Sequence, residues 1–123
     1  MAEKPLDIVD AFDYFKKKCD KFIKELGLIG WDIKYNLNHS KDINDASVTY
    51  NCEARQATIN LYNGEYDKKF LRYLAKHETL HILLAPLQYA CETTAGSNRQ
   101  TIDSAEHSII QTLMNTAFAE RKK

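Results

Sequence analysis

The chain has 123 residues, of which 44% are hydrophobic and 28% charged, as in one soluble globular domain and unlike a disordered or fibrous chain. Seventeen basic residues balance seventeen acidic ones, which excludes an overall field that draws the protein to nucleic acid or to an anionic membrane. The longest apolar stretch, residues 80–87, is far shorter than the roughly 20 residues of a membrane span.

The first predicted element is an amphipathic helix over about residues 8–26. Lysine and aspartate residues occupy its other faces, and Asp7 and Gly27 are suited to its two ends. Its apolar residues recur at three- and four-residue spacing: Ile8, Ala11, Phe12, Phe15, Cys19, Phe22, Ile23 and Leu26.

From Trp31 the apolar period changes to two, which is typical of strands with one buried face. The first strand is predicted to run from Trp31 to about Asn38. The alternating residues of the second and third are Val48, Tyr50 and Cys52, then Ala57, Ile59 and Leu61. Because the connections are too short for crossover helices, we expect one antiparallel sheet with a single solvent-facing side.

Two helices complete the predicted order αβββαα, an α+β domain over residues 1–123. Asp67 is predicted to cap the first of these two helices and Pro86 to end it. A loop is predicted over residues 86–96. Ser97 and Gln100 then form a capping-box pattern that opens a last helix to about residue 119.

The cysteines Cys19, Cys52 and Cys91 are odd in number and include no C-x-x-C pair. This pattern favours reduced thiols over a disulfide framework or a thiolate zinc site. Since the N-terminus also lacks a secretory apolar segment, we expect a cytoplasmic protein. The sequence does not indicate an oligomeric state.

Residues 77–81 read HETLH, an H-E-x-x-H motif inside a predicted helix. Four residues make about one helical turn, so His77 and His81 project from one face and can share a tetrahedral Zn²⁺. Glu78 projects about 100° away, where it is predicted to act as a general base on water. A chance match has a probability of about one to two per cent in a chain of this size.

A functional zinc site usually has three protein ligands, and the last helix offers candidates. Glu106 falls near the middle of the predicted apolar stripe of that helix, where an unpartnered carboxylate is costly and metal ligation satisfies it. We predict Glu106 as the third ligand. His107, Asp103 and Glu92 remain alternatives, as does a salt bridge made by Glu106.

With His77, Glu78, His81 and Glu106, the chain resembles the gluzincins, zincin metallopeptidases with a glutamate as third ligand. The element order resembles the smallest of them, the minigluzincins, and small prophage-borne zincin-like proteins. The resemblance implies a minimal zincin-like fold, with the sheet packed on an active-site helix and a glutamate helix. It also implies one Zn²⁺ per chain and a protein or peptide substrate that pairs with an open sheet edge.

The chain departs from this family at two places. Gluzincins commonly carry an acidic residue one turn after the glutamate ligand, where this chain has Ile109 and Ile110, so Asp103 is the nearest substitute for orienting a histidine. No motif identifies the group that stabilises the oxyanion. The candidates are Tyr50, Tyr89, Arg99 and His107.

Three functional hypotheses follow from the sequence. The first is a zinc metallopeptidase with Glu78 as the general base. The second is a binding or regulatory protein that keeps the fold and a structural zinc ion, and the missing oxyanion motif favours it. The third is a metal-free domain in which the motif is a coincidence.

Overall fold

The computed structural model describes residues 6–92 and 98–115. In chain order these contain α1 (Ile8–Glu25), β1 (Asp32–Asn38), β2 (Ala46–Asn51), β3 (Gln56–Tyr62), α2 (Lys68–Glu92) and α3 (Arg99–Asn115). The predicted α+β class and the order αβββαα are confirmed. Within the described residues, every helix is too short or too polar to cross a membrane.

α1 covers the core with one face. Its buried residues, Ala11, Phe15, Cys19 and Phe22, follow one another at three- or four-residue spacing and pack with the core residues of β3 and α2. Asp7 stands at the N-cap as predicted, but its side chain makes no capping hydrogen bond.

A left-handed glycine ends α1. Gly27 has a φ of +68°, and its N–H donates to the Lys24 carbonyl at 3.1 Å. The Leu28 N–H donates to the Ile23 carbonyl at 3.0 Å. These two bonds form a Schellman motif, in which glycine adopts the left-handed conformation without steric cost. The predicted stop at Gly27 is confirmed.

The sheet is mixed and has the order β1-β3-β2. β2 pairs antiparallel with β3, whereas β1 pairs parallel with β3, so the prediction of a wholly antiparallel sheet is wrong. Residues 39–45 carry the chain across two strand spacings, about 10 Å, and leave the central place for β3. β2 itself returns the chain to the other end of the sheet, so no crossover helix is needed.

The two faces of the sheet differ as predicted. On β3, Ala57, Ile59 and Leu61 are 0–2% exposed and belong to the core. The alternate position Asn60 lies on the opposite face, where its side chain bonds with Asn36 and with Ser47 at 3.2 Å in each case. The strand period of two thus separates an apolar face from a hydrogen-bonded polar face.

α2 is longer than predicted. Its start is confirmed, because Asp67 Oδ1 accepts a hydrogen bond from the Phe70 N–H at 2.8 Å. Its predicted end is wrong, since the helix continues through Pro86 to Glu92. An interior proline costs roughly 3 kcal/mol. The burial of Ala85 and the hydrogen bonds of Gln88 with Tyr50 on β2 and Asp103 on α3 oppose this cost.

α3 begins with an asparagine cap. Asn98 Oδ1 accepts a hydrogen bond from the Thr101 N–H at 3.1 Å, whereas the predicted cap Ser97 lies outside the described residues. The predicted end near residue 119 also lies outside them. α3 packs on α2, and its two buried residues are Glu106 and Ile110.

The left-handed turn at Gly27 gives a test of the fold. Gly27→Ala should lower the free energy of unfolding by about 1 kcal/mol, because an added Cβ is strained at positive φ although nothing lies within 4 Å of it. Gly27→Asn should lower it less, since asparagine tolerates this conformation better. Urea denaturation measures both, and equal stability of Gly27→Ala and the wild type would contradict the assignment.

Candidate metal centre

α2 places the two motif histidines side by side. The Nε2 atoms of His77 and His81 are 3.2 Å apart, and the ring centroids are 4.8 Å apart. Both side chains are half-buried, and Phe70, two turns before His77 on the same helix, is 38% exposed. The histidines therefore lie at the border between core and solvent.

α3 brings a third histidine to this pair. The His107 ring centroid lies 5.0 Å from that of His81 and 5.8 Å from that of His77. One ligand atom from each of the three histidines lies within 4.8 Å of the other two. We call His77, His81 and His107 the histidine cluster. From the sequence, His107 was only an alternative third ligand.

Hydrogen bonds at Nδ1 orient two of these rings. His107 Nδ1 lies 2.8 Å from the backbone carbonyl of Asp103, which can only accept, so Nδ1 carries the proton. His81 Nδ1 lies 3.0 Å from Glu106 Oε1 and donates to it when that carboxylate is ionised. In the neutral form of each ring, Nε2 is then the unprotonated nitrogen, the form in which imidazole binds a metal.

Glu106 is buried, as the sequence predicted, with 6% of its surface exposed. Its Oε1 faces the Nδ1 side of His81, not the Nε2 side on which His77 lies. Its Oε2 is buried without a hydrogen-bond partner among the described residues, and burial raises the pKa of the carboxyl group. The role of Glu106 as a direct ligand stays a prediction.

Glu78 lies on the side of α2 that faces the core. It is 5% exposed, and burial raises its pKa to about 7, with a further contribution from the negative charge of Glu106. A carboxylate with a pKa near neutrality is suited to accept and release a proton at physiological pH.

The histidines of α2 are neutral at physiological pH. Burial, together with the neighbouring His77 and His107, lowers the pKa of His81 to about 4. Burial also lowers the pKa of His77, with a contribution from His107. Neutral imidazoles bind metal without first losing a proton to the solvent.

The spacing of His77 and His81 fits a transition-metal ion such as zinc. Two nitrogen ligands at 2.0–2.1 Å from a tetrahedral centre stand about 3.3 Å from each other, close to the 3.2 Å between the Nε2 atoms of His77 and His81. Imidazole is a favoured ligand of zinc and of other transition metals. His77 Nδ1 is buried without a partner in the described part of the chain, so one ring of the cluster lacks an orienting acceptor.

Gln88 is a polar residue of the site that the sequence analysis missed. Its Nε2 donates to Asp103 Oδ1 at 2.8 Å and approaches Glu106 Oε1 at 3.4 Å. The hydroxyl of Tyr50 donates to its Oε1. The predicted loop over residues 86–96 includes Gln88. If the helix continues past Pro86, the spacing of seven residues puts Gln88 and His81 on one face.

The other candidates have contacts of their own. Tyr89 donates its hydroxyl to Glu53 at 2.7 Å. Arg99 pairs with Glu92 at 3.1 Å and approaches Asp103 at 3.9 Å. The Asp103 carboxylate accepts from Gln88, and its backbone carbonyl, not its side chain, meets a histidine.

An apolar cleft of about 180 Å³ lies between α2 and α3 next to the site. Glu106 and Gln88 form part of its wall, and its apolar lining includes Leu84, Leu87, Ile102 and Ile109. Sites for small ligands are typically concave and apolar with a few polar groups. The cleft can therefore receive an apolar group beside the site.

Comparison with known proteins adds no relative: no family model, curated protein or solved structure matches the chain significantly.

Proposed function

We propose that this chain is a zinc-dependent metallopeptidase in which the histidine cluster holds one Zn²⁺ and Glu78 is the general base. The observation that carries the proposal is the convergence of three histidine ligand atoms within 4.8 Å. Glu78, which follows His77 in the chain, is buried, and burial raises its pKa to about 7. The H-E-x-x-H spacing links the two features.

A zinc ion in such a site supplies Lewis acidity, which lowers the pKa of water and polarises a carbonyl group. Glu78 supplies the proton acceptor from the neighbouring face of α2. Because it is 5% exposed, bulk solvent competes little for its oxygens. After accepting a proton from water it can return that proton to the leaving amine.

His107 is the third ligand in this proposal. The hydrogen bond of its ring to Asp103 uses Nδ1 and leaves Nε2 available to a metal ion. The ring lies near those of His77 and His81. Glu106 then does not bind the metal ion itself but accepts a hydrogen bond from His81 Nδ1. Carboxylates in this position orient the ring and raise its basicity toward the metal.

A peptide is the substrate class that this arrangement supports best. β1 and β2 are the edge strands of the sheet, and β2 packs against α2. An extended peptide can pair with such an edge through its backbone. The apolar cleft between α2 and α3 offers room for an apolar side chain of that peptide.

A binding or regulatory protein with a structural zinc is the second candidate. The observation that favours it is the engagement of two oxyanion candidates, since Tyr50 donates to Gln88 and Tyr89 donates to Glu53. This protein would bind zinc through the same histidines and would cleave nothing.

The role of Glu78 is tested by Glu78→Gln in the zinc-loaded protein. The variant should keep zinc and lose cleavage of a fluorogenic peptide library by about 100-fold or more, because the general base is gone. Glu65→Gln, at an exposed glutamate, is the matched control and should cleave as the wild type does. Full activity of Glu78→Gln contradicts the mechanism, and a wild type without chelator-sensitive cleavage favours the regulatory alternative.

The ligand set is tested by zinc content after purification and dialysis. The wild type should hold one zinc per chain, and His81→Ala and His107→Ala should hold little. Glu106→Gln should keep zinc with about 10- to 100-fold lower affinity. His39→Ala, at the exposed histidine after β1, is the control. An empty Glu106→Gln together with a loaded His107→Ala would make Glu106 the third ligand.

A further inference from the structure

One buried amide connects three elements behind the histidine cluster. Gln88 is 8% exposed and lies two turns after His81 on α2. It contacts Tyr50 on β2 and both Asp103 and Glu106 on α3. The carbonyl and the NH₂ group of this buried amide therefore both have partners, as burial of polar atoms requires.

The chemistry of the amide fits this place. Its NH₂ group supplies two donors, and its carbonyl oxygen accepts. The donors face the carboxylates of Asp103 and Glu106, and the oxygen faces the Tyr50 hydroxyl. A glutamate here would repel both carboxylates, and an apolar residue would leave the buried Glu106 with one partner fewer.

The same Glu106 oxygen continues the chain of bonds to the cluster. Oε1 lies 3.4 Å from Gln88 Nε2 and 3.0 Å from His81 Nδ1. The opposite nitrogen of His81, Nε2, faces His77 at 3.2 Å. The orientation of one carboxylate therefore decides which nitrogen of His81 carries the proton.

We propose that Gln88 is a positioning residue, whose amide holds Glu106 so that His81 keeps its proton on Nδ1 and offers Nε2 to a metal ion. The part of this inference that concerns metal rests on the proposed function. The part that concerns the His81 tautomer does not, because it describes the metal-free protein. In this role Gln88 acts through Glu106 and does not bind the metal ion itself; its place in the wall of the apolar cleft is a separate matter.

The test uses Gln88→Met, which keeps the length and helix propensity of the side chain but removes its hydrogen bonds. Histidine ¹⁵N NMR of the metal-free protein at neutral pH reads the tautomer of His81. The wild type should show a proton on Nδ1, and Gln88→Met should show a mixture of tautomers. Competition with a chelator should then show a loss of zinc affinity of about 10-fold.

Gln111→Met is the matched control, because Gln111 is an exposed glutamine on α3 that bonds to Asn115. It should leave both the tautomer and the zinc affinity unchanged. Tyr50→Phe removes the hydroxyl on the other side of the Gln88 amide and should shift the tautomer in the same direction, so the test stands if Gln88→Met fails to fold.

A His81 tautomer that is the same in the wild type and in the folded variants would overturn the role of Gln88, whatever the zinc affinity. Failure of the wild type to bind zinc would overturn the proposed function instead, while the tautomer would still decide the role of Gln88. The two failures are therefore distinguishable.

Discussion

The contact between His81 and Glu106, at 3.0 Å, connects the two helices on which the site depends. α3 packs on α2 and buries only Glu106 and Ile110, so apolar contact alone gives this pair of helices a small interface. The buried carboxylate adds directional bonds to His81 and Gln88 of α2, which favour one rotation of α3. In that rotation His107, one residue later, lies near the other two rings.

α2 separates two kinds of chemistry between its faces. Leu71, Ala75 and Ile82 pack into the core with α1 and β3, and Glu78 lies on that side with 5% exposure. His77 and His81 lie at the border with solvent. A helix packed along its core face can hold two imidazoles at the border with solvent with little freedom, which is the preorganisation that a metal site requires.

The sequence predicted those features that depend on local periodicity or on a short motif. The apolar period predicted α1 and the strands, and Gly27 predicted the end of α1. The spacing of His77 and His81 predicted that their rings lie side by side. It did not predict the parallel pairing of β1 with β3, because a period of two is the same for both directions. It placed the end of α2 at Pro86, because the packing that offsets the proline comes from distant elements. Glu106 is buried as expected, but the sequence did not predict which residues would surround it. Ile109, an apolar residue three positions later on α3, is 41% exposed. The apolar stripe therefore did not define how α3 is rotated.

In the proposed function, three histidine nitrogens from two helices bind one zinc ion. Diffraction from a zinc-soaked crystal, with data on both sides of the zinc absorption edge, shows whether they do. We expect one anomalous peak at about 2.0–2.1 Å from one nitrogen of each of His77, His81 and His107, with Glu106 still bonded to His81 Nδ1. A peak bound by His77, His81 and a Glu106 oxygen would contradict the ligand set, and a map without a peak at the cluster would contradict the metal centre itself.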